Sequence, residues 1–157
     1  MSEKSGKHPV FLVPVDFSAD AEEALIKACQ LADCMKAHVK VLHVVHDPGD
    51  MPGYYATIAK KKYLGRIEDT AQEMLDEFVK GVVKKNPDVK HLKKVEKILV
   101  VGIPVTRILQ VAEKTNAEMI VMGSKGRTGL KHYMLGSKSE QVVRLANVPV
   151  LIVKTPK

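Results

Sequence analysis

Apolar positions along this chain fall either in short runs of mainly apolar residues or in longer stretches in which they recur every three or four residues. The mainly apolar runs cover 10–15, 38–45, 95–102, 117–123 and 148–154. Such runs are typical of strands buried on both faces of a parallel sheet, whereas the recurring pattern between them is typical of amphipathic helices. The order predicts β-α-β-α-β-α-β-α-β in one domain without internal repeats.

The helices can be placed by their first residues. Ser18 is a predicted N-cap, and Pro104 suits a first helical turn. Ser137 opens the segment S-K-S-E, which predicts an N-cap with Glu140 in capping-box register. The second helix is predicted from about Thr57 to Lys85. The apolar stripes of the first, second and third helices are Ala21, Ala24, Leu25, Ala28 and Ala32; Leu64, Ile67, Ala71, Met74, Leu75, Phe78 and Val82; and Val105, Ile108, Leu109 and Ala112.

Strands that alternate with helices imply an α/β fold, a three-layer α/β/α sandwich with a five-stranded parallel sheet and right-handed crossovers. Ligands of such sheets bind outside the carboxyl ends of the strands, where the strand order reverses. Asp16, Gly102 and Gly123 each come just after an apolar strand. We therefore expect a binding site near these three residues.

The bulk composition restricts the class of protein. The 157 residues are 45% hydrophobic and 27% charged, and no apolar run approaches the roughly 18 to 20 residues that a membrane span needs. The N-terminal residues are polar and lack the apolar segment of a signal peptide. We expect one domain over 1–157 with a flexible tail at 1–8, a cytoplasmic location and no membrane association.

Cysteines and histidines give little sign of a metal or redox site. Cys29 and Cys34 lie five apart in one predicted helix, on different faces, so we expect two free and largely buried thiols. His46 and Asp47 lack a third partner at metal-ligand spacing. His43 lies inside an apolar strand and is interpreted as a hydrogen-bonded core histidine rather than a ligand. No structural metal is predicted.

The segment 123–139 carries the most specific chemistry. Gly123, Gly126 and Gly136 let a ligand approach the backbone closely, and the helix that follows has free amides at its start. The segment contains four Lys or Arg residues and no Asp or Glu. A polyphosphate fits this chemistry, although a plain connecting loop with solvated cations is the alternative. Neither G-x-x-x-x-G-K-[ST] nor G-x-G-x-x-G is present, which excludes an ordinary P-loop or dinucleotide fingerprint.

These residues resemble those of the universal stress proteins. Gly123-x-x-Gly126, nine residues and Gly136-Ser137 match the family's G-2x-G-9x-G-[S/T] nucleotide-binding pattern. The segments PVDFS, LHVV, VVGIP and VPVLIVK match in the same order. The resemblance covers nearly the whole chain. It implies a Rossmann-like fold of strand order 3-2-1-4-5, binding of ATP, ADP or AMP with Mg or Mn carried by the phosphates, and a homodimer.

The resemblance also implies a role for individual residues. Pro14, Val15 and Asp16 would line the adenosine side, the backbone of Val44 would hold the adenine edge, and Gly102 would lie near the ribose. The remaining candidates would wrap the nucleotide and hold its phosphates: Met122, Gly123, Lys125, Gly126, Gly136, Ser137, Lys138 and Ser139. Lysine at positions 125 and 138 departs from the family, which often has histidine and a small or aliphatic residue there.

Three features also have a simpler structural explanation that involves no ligand. Asp16 could be only a turn former before Ser18 rather than a group on the nucleoside or a metal. Tyr54 and Tyr55, in the Pro- and Gly-rich segment after the second strand, could form a mobile lid or an ordinary loop. The apolar run 148–153 would be a sticky edge unless it pairs with its twin across a two-fold axis.

The predicted function is a nucleotide-binding regulatory or stress-response protein with at most slow ATP turnover, because no convincing catalytic base is present. A true ATPase or phosphotransferase and a nucleotide-independent dimeric scaffold for unknown protein partners are the alternatives. Nucleic-acid binding is not predicted. The net charge of +7 would favour it, but three Phe, four Tyr and no Trp do not make a stacking platform.

Overall fold

A computed structural model of the protein describes residues 8–46, 54–126 and 134–155, with side chains in the second range described from residue 67. The predicted tail, apart from residue 8, lies outside these residues, as do Asp47, Arg127 and Lys131. The elements are β1 (Val10–Pro14), α1 (Ala19–Met35), β2 (His38–His46), α2 (Tyr54–Lys85), a 3-10 helix (Lys90–Lys94), β3 (Glu96–Gly102), α3 (Pro104–Lys114), β4 (Met119–Gly123), α4 (Ser137–Leu145) and β5 (Val150–Val153).

The five strands form one parallel sheet in the order β3-β2-β1-β4-β5, which confirms the predicted topology. The strand order reverses between β1 and β4, so the helices that follow them, α1 and α4, pack on opposite faces of the sheet and leave a crevice at the carboxyl ends of the two strands. That crevice is where an open α/β sheet places its ligand.

Alternate residues of the strands point to opposite faces, and each face has its own core. Phe11 and Val13 belong to the core under α1 and α2, which also contains Leu25 and Leu75. Leu12 belongs to the core under α3 and α4 with Leu42, Ile108, Ile120 and Val142. All of these side chains are at most 4% exposed. The three-layer α/β/α arrangement follows from this division.

The second helix begins earlier than predicted. α2 starts at Tyr54 rather than near Thr57, so Tyr54 and Tyr55 lie in its first turn. The expectation that they belong to a loop was wrong, because helical backbone precedes the first residue of the apolar stripe. Their side chains lie outside the described part of the chain. Within the described stripe, Met74 is 40% exposed, while Val79, which the prediction omitted, is buried.

The first helix confirms its predicted stripe, and its cysteines are both free. Cys29 is fully buried, and burial, with the Asp33 carboxylate adding to it, raises the pKa of its thiol to about 12. Cys34 is exposed, so the expectation of two buried thiols was wrong for this residue. Five residues correspond to about 140° of helix rotation, which carries Cys34 off the buried face.

Within the described residues, no helix combines the length and the apolar character that crossing a membrane requires.

Candidate functional site

A cavity of about 630 Å³ opens at the carboxyl ends of the central strands, beside the start of α4. Its volume is within the range of roughly 300 to 1,000 Å³ that small-molecule sites have. The candidate site residues that line it are all of those predicted except Gly102: Pro14, Val15, Asp16, Val44, Met122, Gly123, Lys125, Gly126, Gly136, Ser137, Lys138 and Ser139.

Gly102 lies at the end of β3 and is not among the described residues that line this cavity. Its φ of 146° is in the region that favours glycine, and a Cβ there would lie 2.6 Å from Nε of Arg107. That Nε donates a 2.8 Å hydrogen bond to the carbonyl oxygen of Val101. The glycine therefore makes room for the Arg107 side chain, a local structural reason for its presence.

One wall of the cavity is apolar. Strand β2 contributes Val44, β4 contributes Met122, and Ile67, Met74 and Ile108 come from α2 and α3. The ring of His43 is fixed by a 2.8 Å hydrogen bond between Nδ1 and the carbonyl oxygen of Val15, as expected for a hydrogen-bonded histidine, although it is only partly buried. A flat apolar ring with polar edges would fit this wall, where strand backbone at the rim can read the edges.

Asp16 forms the turn before Ser18, one of the two roles that the sequence left open. Its Oδ1 accepts a 3.1 Å hydrogen bond from the Ser18 amide, and the Ser18 hydroxyl accepts one of 3.2 Å from the Ala21 amide, so Ser18 is the N-cap as predicted. Its Oδ2 faces Gly126, where a Cβ would lie only 2.7 Å away. The carboxylate thus braces the turn that precedes α1, and its second oxygen lies beside the loop after β4 at the wall of the cavity.

The residue after Asp16 has an unusual backbone conformation. Phe17 has a φ of 66°, which non-glycine residues rarely adopt. Its ring packs on His43, with ring centroids 4.3 Å apart, and on Phe78 at 5.6 Å. A strained backbone conformation persists only where the surrounding structure holds it, and here the packing of the Phe17 ring on two sides does so.

The start of α4 forms the opposite end of the cavity. Gly136 is the N-cap, its amide donates a 2.8 Å hydrogen bond to the carbonyl oxygen of Ser124, and no side chain caps the helix among the described residues. The predicted capping box was wrong, because Ser137 is already helical and Glu140 is one position too far along. Glu140 instead pairs with Arg144 at 2.8 Å. The first-turn amides are left for an anion or solvent.

Ser139 has an inward role. Its hydroxyl, in a side chain 6% exposed, donates a 3.0 Å hydrogen bond to the carbonyl oxygen of Gly123. This bond ties the first turn of α4 to the end of β4. The hydroxyl proton is therefore committed to the protein frame, and only the Ser139 amide and oxygen lone pairs remain for a ligand.

The electrostatics of the cavity favour an anion at the α4 end. Lys125 and Lys138 lie there, and Asp16 is the sole carboxylate among the described lining residues. No group of three or more metal-ligating side chains occurs in the described ranges. Because Mg²⁺ usually binds one or two carboxylates together with substrate phosphates, Asp16 alone fits a metal brought in by a nucleotide.

Sequence reasoning missed Asp20, in the first turn of α1. Its Oδ2 accepts hydrogen bonds from the Ser124 hydroxyl at 3.1 Å and from the Lys125 amide at 2.9 Å. Its Oδ1 accepts from the Thr155 hydroxyl. Asp20 is not among the described lining residues, yet it fixes the first residues of the loop that are.

The chain matches the universal stress protein family over residues 9–154. It belongs to that family. The resemblance seen in the glycine pattern is thereby confirmed at the level of the family.

Two relatives illustrate the match. Universal stress protein MJ0577 of Methanocaldococcus jannaschii is 35% identical over 152 residues, which cover 91% of this chain and 93% of the relative. A solved structure of MJ0577 superimposes with a TM-score of 0.73 and 31% identity, covering 96% and 98% of the two chains. A universal stress protein of Archaeoglobus fulgidus, solved in complex with dAMP, has a TM-score of 0.61, 26% identity, and coverage of 94% and 98%.

Proposed function

We propose that this universal stress protein binds an adenine nucleotide, ATP in the first place, in the cavity at the start of α4. The observation that carries the proposal is that one cavity joins an apolar wall to an uncapped helix start flanked by two lysines. A nucleotide has the matching halves, a flat base and a chain of phosphates. The dAMP complex of the Archaeoglobus fulgidus relative supports an adenine nucleotide in particular.

The base and sugar would occupy the apolar side of the cavity. There the backbone of Val44 would contact the adenine edge, while Pro14, Val15 and Asp16 would lie along the nucleoside. Met122 would pack against it from β4. The buried apolar surroundings strengthen each polar contact made to the base, since little water competes for it.

The phosphates would lie at the start of α4. The amides of Ser137, Lys138 and Ser139 are the first in the helix, where the partial positive charge of the dipole is greatest. Gly126 leaves open the space beside Asp16, and Gly136 brings the helix start against Ser124. A Mg²⁺ or Mn²⁺ ion bound to the phosphates would find one protein carboxylate, Asp16.

We infer a regulatory role with at most slow hydrolysis rather than rapid turnover. Hydrolysis needs a group that orients water at the γ-phosphate. Glu140, the nearest carboxylate along the chain, is engaged with Arg144 on the solvent side of α4. Asp16 would lie beside the nucleoside with its Oδ1 bonded to the Ser18 amide, and its Oδ2 would serve a metal ion on the phosphates rather than orient water. The proposed role is retention of the nucleotide and communication with protein partners in the cytoplasm during stress.

The proposed assembly is a homodimer that pairs β5 of one protomer with β5 of its partner. β5 is the last strand in the described sheet order. The amides of Ile120 and Ser124 bond to the carbonyl oxygens of Pro149 and Val153, so the backbone of alternate residues faces β4. The backbone groups of Val150 and Ile152 therefore point to the open edge.

Competition binding tests the nucleotide assignment. A fluorescent adenine nucleotide would be displaced from the stripped protein by ATP, ADP, AMP or GTP with magnesium present. The proposal predicts that all three adenine nucleotides displace the probe. GTP should need a concentration at least tenfold higher for the same displacement, because the edge of guanine presents different donors and acceptors from the edge of adenine. Equal displacement by GTP would refute recognition of the base.

A further inference from the structure

The carboxylate of Asp20 joins two segments that lie far apart in sequence. On one side it bonds to Ser124 and Lys125, at sequence separations of 104 and 105 residues. On the other it bonds to Thr155, at a separation of 135 residues. A further bond, of 3.0 Å, runs from the Ser124 amide to the carbonyl oxygen of Val153. The loop after β4 and the end of β5 are therefore joined to each other by the Asp20 carboxylate and by one backbone hydrogen bond.

The loop side of this arrangement leads directly into the proposed phosphate site. Ser124 is 6% exposed, and its carbonyl oxygen accepts the amide of the N-cap residue Gly136 at 2.8 Å. Lys125 and Gly126 follow at once and line the cavity. A displacement of Ser124 would thus move both the cationic side of the cavity and the start of α4.

We propose that Asp20 is a positioning residue for the nucleotide loop and couples nucleotide affinity to the anchoring of the β5 end through Thr155. This inference rests on the proposed nucleotide site. Asp20 is not among the described lining residues, so its effect would be transmitted through Ser124 and Lys125. If anchoring at Thr155 raises ATP affinity, bound ATP must strengthen that anchoring by the same factor.

The chemistry of a carboxylate explains why this position suits the role. It offers two acceptor oxygens and no donor, and here three donors converge on it. Removing it leaves the buried Ser124 hydroxyl and the Lys125 amide without this partner, and unsatisfied buried groups are costly. An asparagine would keep one acceptor for the loop and could donate its amide proton to the Thr155 hydroxyl oxygen.

The test is a set of ATP titrations on the full chain, all performed well below the melting temperature of each variant. Asp20→Ala is expected to weaken ATP binding about tenfold, and Thr155→Val about threefold, from the loss of net hydrogen bonding. Asp20→Asn should restore affinity to within about threefold of the original chain, since it keeps one acceptor. In the Asp20→Ala background, Thr155→Val should have no further effect, because its route to the loop is gone.

A matched control comes from the other end of the same helix. Asp33 accepts a 2.9 Å hydrogen bond from Nδ1 of His91, which anchors the 3-10 helix to α1. Asp33→Ala should lower the melting temperature without changing the ATP affinity of the folded protein. This separates loss of stability from loss of positioning, since a purely structural Asp20 would behave like Asp33.

The outcomes separate this inference from the proposed function. If the unaltered protein does not bind ATP, the proposed function fails. If the unaltered protein binds ATP and both Asp20→Ala and Thr155→Val bind it with the same affinity, the positioning role of Asp20 is refuted while the proposed function stands. Should Asp20→Ala not fold, Thr155→Val decides, because it removes a single hydroxyl. Affinity unchanged by that substitution would contradict the coupling.

Discussion

Gly123 and the first turn of α1 are in direct contact at Asp20. A Cβ on Gly123 would lie 2.7 Å from the backbone carbonyl carbon of Asp20 and 2.8 Å from its carbonyl oxygen. Because both neighbours belong to the backbone, neither can move aside as a flexible side chain would. The first glycine of the nucleotide-binding pattern therefore has a packing reason that is independent of any ligand.

Gly123→Ala is predicted to destabilise the fold by about 1 to 3 kcal/mol, the usual penalty of overpacking. The measurement is the free energy of unfolding from urea denaturation. Gly81→Ala is the control, because in the described part of the chain no atom beyond its chain neighbours and its own helix backbone lies within 4 Å of the added Cβ in α2. That change should stabilise the protein by about 0.5 to 1 kcal/mol, since alanine is the better helix former. Equal effects of the two substitutions would contradict the packing explanation.

The sequence was sufficient for the architecture because its apolar runs and helical stripes are long and regular. All of the predicted site residues except Gly102 lie on one cavity, since the glycine pattern brings Gly123 and Gly136 to the same end of the sheet, but the apolar residues that complete the lining carry no such pattern. Asp20 could not be found this way, because its partners are more than 100 residues away and carry no local pattern. The S-K-S-E segment gave a wrong capping box because the pattern requires Ser137 as the N-cap, whereas the N-cap is Gly136, one residue earlier.

The two cysteines should differ sharply in reactivity. Only the thiolate reacts, and the Cys29 thiol is both fully buried and raised in pKa to about 12. Labelling of the folded protein at pH 8 with a disulfide reagent should modify one thiol quickly, that of exposed Cys34. The second should react only in denaturant. Fast labelling of a folded Cys34→Ser protein would show that Cys29 is accessible.

Lys138 should help to distinguish ATP from AMP. It is exposed at the second helical position of α4, where the helix dipole already favours an anion. Lys138→Ala is predicted to weaken ATP binding about three- to tenfold, the range for an exposed charge-assisted contact, and AMP binding less than about twofold. Lys114→Ala is the control, because it removes the same charge from the exposed C-terminal turn of α3. It should change neither the ATP affinity nor the AMP affinity. Equal losses for ATP and AMP would place Lys138 away from the outer phosphates.

The edge of β5 can be tested with a proline. Ile152→Pro removes an amide that points away from β4, so it should dissociate the proposed dimer while the protein stays folded. Leu151→Pro removes an amide that faces β4 and should destabilise the sheet by about 3 kcal/mol or more. Sedimentation and circular dichroism give the two readouts. A folded Ile152→Pro protein that remains dimeric would rule out pairing through β5.

The central claim is that the cavity at the start of α4 binds a nucleotide. Calorimetric titration of the nucleotide-stripped protein with ATP and magnesium tests it most directly, beside the same titration of Gly136→Val. The valine would extend towards Ser124, Lys125 and Gly126, where the Cβ alone is already at 3.4 to 3.8 Å. We predict micromolar or tighter binding by the original chain and none by the folded variant. No binding by the original chain up to millimolar ATP, or equal binding by both, would contradict the account.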